Sequence, residues 1–249
     1  MSGHSKWSTI KHKKARLDAK RGKNWSKLAR NVTMAARSGG SPDDNPRLRL
    51  AIDKAKADNM PKDTIEKAVK KGTGELAGES YEEVVYEGYG VNGVAVMARA
   101  LTDNRHRTAA EIKKIFERGS GNLGPSNCVA WMFSQKGVFT IIAESVSEER
   151  LMEVALEAGA DDVSSSELIH EVTCSPDVYQ TVKSALEAAQ IPIEGSDVVN
   201  LAETNVTLDL SSAKRVLQLI EALEEQDDVE SVSSNFDVPD DVMKQLAAD

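Results

Sequence analysis

Aromatic residues are scarce in this 249-residue chain, since Phe, Trp and Tyr together make up only 4% of it. Its cores must therefore be built mainly from aliphatic side chains, and an aromatic residue outside a core becomes notable. No apolar run approaches the roughly 18 residues that a membrane span requires. The basic N-terminal segment is followed by no apolar stretch of the secretory type. The two cysteines, Cys128 and Cys174, lie far apart, which argues against a disulfide framework and favours a reducing, cytoplasmic environment.

Motifs for catalysis and metal binding are missing as well. The sequence contains no P-loop and no G-x-S-x-G motif. Residues 119–124, GSGNLG, match G-x-G-x-x-G, but a helix is expected before them and a strand after them, which is the reverse of a dinucleotide-binding site. None of the four histidines has a zinc-type spacing to a cysteine or to another histidine. We therefore expect no enzymatic activity, no metal and no cofactor.

Positive charge is concentrated at one end of the chain. Residues 1–72 hold 19 Lys and Arg against 7 Asp and Glu, a net charge of +12, which leaves 12 against 33, or −21, for residues 73–249. Residues 1–37 carry 11 Lys and Arg and a single acid, Asp18. A solvated lysine-rich surface is the common explanation of a charge run, but exposed helices usually mix both signs to gain i,i+4 pairs. A basic end on an acidic body is typical of a chain that binds a polyanion.

The apolar pattern divides the basic end into an arm and three helices. Residues 4–23 lack apolar periodicity, so we expect an arm that orders on a counter-charged surface. A helix is predicted from Asn24, with Trp25 in its core, a second from Asn45-Pro46 and a third from Pro61 to Gly72. Three short helices would form a small all-α domain.

Beyond residue 75 the pattern changes to strands alternating with helices. A hairpin over 81–101 and a helix over 107–118 are followed by a predicted strand at 128–134. Residues 137–193 have the β-α-β-β-α-β order of a ferredoxin-like unit. A further β-α-β over 205–236 is assigned to the sheet that begins at Tyr81.

The predicted fold class is α+β, with an N-terminal three-helix domain and two ferredoxin-like α/β domains, one inserted in the other. The basic arm and helical domain occupy residues 1–75. The discontinuous α/β domain comprises 76–135 and 201–240, and the inserted ferredoxin-like domain comprises 136–200.

Candidate nucleic-acid contacts follow from the basic end and from one strand end. Lys and Arg would contact phosphates, and Trp7 could stack on a base. The segment from Asp103 to Arg107 reads equally well as an N-capped helix entrance or as a phosphate contact. The candidate residues are Lys6, Trp7, Lys11, His12, Lys13, Lys14, Arg16, Lys20, Arg21, Lys23, Lys27, Arg30, Arg105 and Arg107.

Four blocks of the sequence carry a family resemblance: GHSKWSTIKHKKARLDAKRGK, NPRLRLAIDKAKADNMPKDTIEKAVKKG, YEGYGVNGVAVMARALTDNRHRT and GNLGPSNCVAWMFSQKG. In this order they resemble the YebC/PmpR family of bacterial regulators, to which mitochondrial translational activators of cytochrome oxidase are similar. The resemblance implies three domains and no catalysis. It also implies two functions: DNA-binding transcriptional regulation, or action at the ribosome on stalled, proline-rich synthesis. The loop GSGNLG departs from the family pattern, where a histidine would precede two glycines.

The sequence thus predicts a cytoplasmic, non-enzymatic, nucleic-acid-binding regulator of gene expression, with DNA-binding transcriptional regulation as the first hypothesis. A ribosome-associated translation factor and a protein–protein scaffold are the alternatives. No helix presents a set of Arg, Asn and Gln for the major groove, and no RNP-type aromatic stretch occurs. The expected partner is duplex DNA, ribosomal RNA or the ribosome, with no membrane involved and the chain a monomer.

Overall fold

The computed structural model describes residues 21–78 and 80–248. The helices in this part of the chain are α1 (Arg21–Ala36), α2 (Pro46–Ala57), α3 (Lys62–Gly72), α4 (Arg105–Arg118), α5 (Glu148–Glu157), α6 (Tyr179–Ala188), α7 (Leu210–Glu225) and α8 (Asp240–Ala248). The strands are β1 (Glu82–Tyr89), β2 (Ala95–Thr102), β3 (Asn122–Leu123), β4 (Phe133–Ile142), β5 (Asp162–Ser165), β6 (Ile169–Cys174), β7 (Gly195–Ala202), β8 (Val206–Thr207), β9 (Val229–Ser234) and β10 (Phe236–Asp237).

The first three helices pack around one small aliphatic core. Asn45 caps α2, because its side chain accepts a hydrogen bond from the Leu48 backbone N–H at 3.1 Å, and the proline that follows it begins the helix. At the end of α3 the chain comes very close to α1. A Cβ on Gly72 would lie 2.3 Å from the Thr33 carbonyl oxygen, so this crossing requires glycine. The predicted three-helix arrangement is confirmed.

The first sheet has the strand order β3-β1-β2-β9 and is antiparallel throughout. Alternate residues of β1 and β2, such as Val84, Tyr86 and Ala98, face α4 and α7 and form the largest core with Ile112 and Phe116. The opposite face of this sheet is turned toward α2 and the second sheet.

The second sheet has the order β5-β6-β4-β7, with the β-α-β-β-α-β connection that the sequence predicts for a ferredoxin-like unit. Helices α5 and α6 cover one face, and Phe139 stacks on Tyr179 with 4.9 Å between ring centroids. Its strands extend from Phe133 to Ala202, and the predicted inserted domain, 136–200, falls within these bounds. The α+β class with N-terminal helices and antiparallel sheets is therefore confirmed.

Two predicted strands are wrong in detail. Residues 128–132 form a loop with a 3₁₀ turn at Ala130–Met132, and β4 begins only at Phe133. The apolar letters of this segment suggest a strand, but the backbone N–H groups of Val129 and Ala130, with that of Asn127 just before, bond to the carboxylate of Glu87. Near residue 206 the short β8 pairs with β10 in a separate parallel pair, whereas β9 joins β2 as expected.

Within the described part of the chain, no helix is both long enough and apolar enough to cross a membrane.

Candidate nucleic-acid interface

Only four of the predicted nucleic-acid contacts have side chains that the structure describes. Lys6, Trp7, Lys11, His12, Lys13, Lys14, Arg16 and Lys20 lie outside the described residues, and so do the side chains of Arg21 and Lys23. The remaining four are Lys27 and Arg30 on α1, and Arg105 and Arg107 in the first turn of α4. Arg30 and Arg107 share one carboxylate partner, whereas Lys27 and Arg105 have different surroundings.

Arg30 and Arg107 converge on the carboxylate of Asp228, which precedes β9. Arg30 Nη1 lies 2.8 Å from Asp228 Oδ1, and Arg107 Nη2 lies 2.9 Å from Oδ2. The Thr108 hydroxyl donates to the same Oδ2 at 2.7 Å. Arg107 also pairs with Asp103 at 2.7 Å. We call the side chains of Arg30, Arg107, Thr108 and Asp228 the Asp228 cluster.

The Asp228 cluster is electrostatically stabilised in its ionised form. Burial alone would raise the pKa of the Asp228 carboxyl, but the Thr108 hydrogen bond and the Arg107 and Arg30 guanidinium groups outweigh it, so the pKa lies below its usual range. The hydrogen bonds that Arg107 donates to Asp228 and Asp103 in turn raise its own pKa. Arg30 and Arg107 therefore already have carboxylate partners within the protein, and the cluster joins α1 to β9 and α4.

Lys27 also connects the helical domain to the rest of the chain. Its Nζ donates to the Glu224 carbonyl oxygen at 2.5 Å, one of the last carbonyls of α7, which have no partner within the helix. A cation at this end of a helix is favourable because the helix dipole is negative there. Lys27 and Arg30 thus hold α1 against the end of α7 and the start of β9.

Arg105 is the predicted contact that remains open to solvent. It is exposed, and its side chain forms no ion pair with the residues that the structure describes. Asn104 caps α4, since its side chain accepts from the Arg107 N–H at 3.1 Å. The N-capped helix entrance is thereby confirmed, and phosphate contact by Arg105 stays a prediction.

A second group of exposed cations lies on α3, where sequence reasoning did not place a contact. Lys67, Lys70 and Lys71 are exposed, and none of them forms an ion pair within residues 21–78 and 80–248. The acids of α3, Asp63 and Glu66, lie in its first half. The sequence signal that could have indicated this group is the i,i+3 and i,i+4 spacing of three lysines, although Asp63 and Glu66 stand four residues before Lys67 and Lys70. Cations in the last turn do suit the helix dipole.

The helical domain and the two sheets enclose a cleft of about 1380 Å³. Three of its cations are paired with carboxylates: Arg47 and Arg99 contact Glu83 at 2.7 and 3.0 Å, and Lys54 contacts Asp197 at 2.6 Å. The Arg47 and Lys54 pairs connect α2 to both sheets. Because acidic residues outnumber basic ones in its lining, the cleft is a weaker polyanion site than the exposed face of α3.

Two kinds of chemistry can be examined directly in the described residues: metal binding and thiol reactivity. No group of three or more His, Cys, Asp or Glu side chains among them could hold a metal ion. Burial raises the pKa of the Cys174 thiol to about 11 and also raises that of Cys128, so neither is a reactive thiolate at neutral pH.

Two protein-family models together match most of this chain. Residues 5–75 match the model of the TACO1/YebC protein N-terminal domain, and residues 81–236 match that of the TACO1/YebC second and third domain. A relative from Geobacter sulfurreducens, named "Probable transcriptional regulatory protein", is 51% identical over 247 residues, which covers 99% of this chain and 100% of the relative. One with the same description from Desulfatibacillum aliphaticivorans is 52% identical over 244 residues, covering 98% and 99%.

A solved structure agrees with these matches. The crystal structure of a conserved hypothetical protein from Aquifex aeolicus is 47% identical, covers 90% of this chain and 93% of its own, and superposes with a TM-score of 0.80. The resemblance found in the sequence blocks is confirmed, and the chain belongs to the TACO1/YebC family.

Proposed function

We propose that this protein is a non-enzymatic regulator of gene expression that binds nucleic acid through its positively charged N-terminal part. The observation that carries the proposal is the division of charge, +12 for residues 1–72 against −21 for the rest. Affinity for nucleic acid comes largely from Lys and Arg that displace counterions from phosphates. The names of the relatives, which specify transcriptional regulation, support the same conclusion.

The exposed face of α3 supplies the described part of this surface. Its lysines, Lys67, Lys70 and Lys71, repel one another and have no carboxylate partner in the described chain. A row of phosphates would relieve this repulsion. The candidate cations of residues 6–23 and Arg105 would add further phosphate contacts, whereas Lys27, Arg30 and Arg107 hold the domains together.

Duplex DNA is the partner that we propose first, because the names of the relatives specify transcription. Phosphate contacts fix the position of a protein on a duplex without reading its sequence. Structured RNA presents the same charges, so it is the alternative that the experiment must separate.

The experiment is a set of binding titrations with a labelled duplex DNA and a labelled RNA hairpin at several salt concentrations. If six to ten phosphates are contacted, affinity should fall by roughly 10³ to 10⁵ between 50 and 200 mM salt. Substituting Lys67, Lys70 and Lys71 by Glu should lower the salt slope by about three. A salt-independent affinity would contradict the proposal, and the tighter of the two ligands identifies the partner.

The matched control reverses three exposed cations of the acidic body, Lys113, Lys114 and Arg215. This variant has the same change of net charge as the α3 variant. An equal loss of affinity in both would mean that only the net charge matters, and the assignment to α3 would fail.

A further inference from the structure

The most exposed large hydrophobic residue of the described chain is Trp131, with 73% of its surface open to solvent. The next is Leu156, at 48%. A tryptophan is usually well buried, and this chain has only three. Its exposure is therefore unusual for this residue type and leaves the ring accessible to a ligand.

The indole of Trp131 is held in place by its own loop. Its Nε1–H donates to the Cys128 carbonyl oxygen at 3.1 Å, and the Tyr89 hydroxyl donates to the same oxygen at 3.1 Å. The one polar atom of the ring is thus already bonded within the protein. What the ring offers to solvent is its apolar, polarisable surface, which favours stacking over hydrogen bonding.

The loop itself is fixed by a buried carboxylate. Glu87 is only 3% exposed, and its two oxygens accept hydrogen bonds from the backbone N–H groups of Asn127, Val129 and Ala130 at 2.7, 2.9 and 2.8 Å. Hydrogen bonds to an ionised group are about twice as strong as neutral ones. The loop that carries Trp131 is therefore preorganised, and it needs little further ordering when a ligand binds.

The charge of this segment is compatible with a polyanion. From Arg118 to Ala143 the sequence contains no Asp or Glu, although residues 73–249 have a net charge of −21. The acid next to the loop is Glu203, which is exposed and whose backbone N–H donates to the Met132 carbonyl oxygen at 3.2 Å. A ligand strand over Trp131 would pass loop residues that carry no charge, with the Glu87 carboxylate buried and Glu203 exposed beside the loop.

We propose that Trp131 is a stacking platform for an unpaired base of the bound nucleic acid. The inference rests on the proposed function, and it extends it by adding a feature of the bound nucleic acid: a single-stranded or unpaired base next to the duplex that the basic end contacts. Stacking on an aromatic side chain does not depend on base identity, because every base has a π-face. The platform belongs to the acidic body, so it would contact bases while the basic end contacts phosphates.

The test compares variants in their affinity for a labelled single-stranded oligonucleotide. Trp131→Ala should lower the affinity by about 5- to 150-fold, the range measured for loss of one stacked base. Trp131→Phe should retain most of the affinity, and both variants should keep the salt slope, because no phosphate contact is lost. Leu156→Ala, which removes an exposed apolar side chain elsewhere, is the control and should bind like the unmodified protein.

Two further measurements do not depend on an alanine variant that folds poorly. Glu203→Lys should strengthen binding of the oligonucleotide, since it replaces the flanking repulsion by attraction. In protein labelled with 5-fluorotryptophan, the ¹⁹F resonance that is missing from Trp131→Phe belongs to Trp131, and it should shift when the oligonucleotide is added.

The two proposals fail in different ways. If the unmodified protein binds nucleic acid but Trp131→Ala binds equally well and the Trp131 resonance does not move, the stacking inference is overturned and the proposed function stands. If the unmodified protein binds neither DNA nor RNA at low salt, both are overturned.

Discussion

Substitution of Asp228 by Asn tests how the helical domain is attached to the first sheet. Asp228 is 6% exposed, and Arg30, its partner on α1, is 17% exposed. The change removes the charge but preserves the shape, so Thr108 can still donate to the amide oxygen. It leaves the mostly buried Arg30 guanidinium without a counter-charge.

The expected cost follows from this burial. Removing one partner of a buried ion pair typically costs about 3–5 kcal/mol. Arg107 is 44% exposed, so water screens its part of the interaction, and we expect a loss of roughly 2–4 kcal/mol in the free energy of unfolding. For a chain of this length that lowers the melting temperature by roughly 5–15 °C.

The pH dependence has a defined sign. The folded-state pKa of Asp228 is depressed, so the contribution of the carboxylate is complete above the unfolded-state value of about 3.9 and is lost as the pH falls through the folded-state value. The difference between the unmodified protein and Asp228→Asn should therefore be largest at neutral pH and vanish in acid.

The assay is urea unfolding from pH 7 to pH 3, followed by circular dichroism. Asp44→Asn is the matched control, because it removes the same charge from an exposed position of the helical domain, where substitutions usually change stability by no more than about 0.5 kcal/mol. If Asp228→Asn is as stable as the unmodified protein at pH 7, or if its deficit does not begin to shrink as the pH falls below about 3.9, the cluster does not stabilise the domain contact.

Three further outcomes are expected. Replacing Lys11, Lys13, Lys14 and Arg16 by Glu should abolish nucleic-acid binding and leave the melting temperature unchanged, since this segment has no apolar face to bury. If the variant still binds, only the candidate cations that follow this segment in the chain remain as nucleic-acid contacts. Arg105→Ala should weaken nucleic-acid binding without loss of stability, whereas Arg107→Ala should lower the melting temperature because Arg107 bonds Asp228. Thermal melts and binding titrations of both variants test this, and it is contradicted if Arg105→Ala lowers the melting temperature and Arg107→Ala does not. On sedimentation of lysate with and without nuclease, salt-resistant migration with ribosomes would favour a translation factor, and selective recovery of promoter fragments would favour transcription.

The features that depend on local pattern could be predicted from the order of the amino acids alone. Apolar periodicity and the caps Asn45 and Asn104 define α2 and α4, because a side-chain oxygen and the N–H three residues later are close in every chain that starts a helix there. The order of strands and helices after residue 136 predicted the ferredoxin-like sheet. The charge division was also visible at once, since it requires only counting.

Only the tertiary structure decided which cations are available for a ligand. Arg30 and Arg107 appear in the sequence as free basic residues, yet both contact Asp228, which is 198 and 121 positions away along the chain. Likewise the apolar letters around Trp131 suggest a half-buried strand, but Glu87, more than one element away, takes the backbone N–H groups that a strand would use. Ion pairs and carboxylate-to-backbone bonds between distant elements leave no periodic trace, because they depend on which surfaces meet when the cores pack.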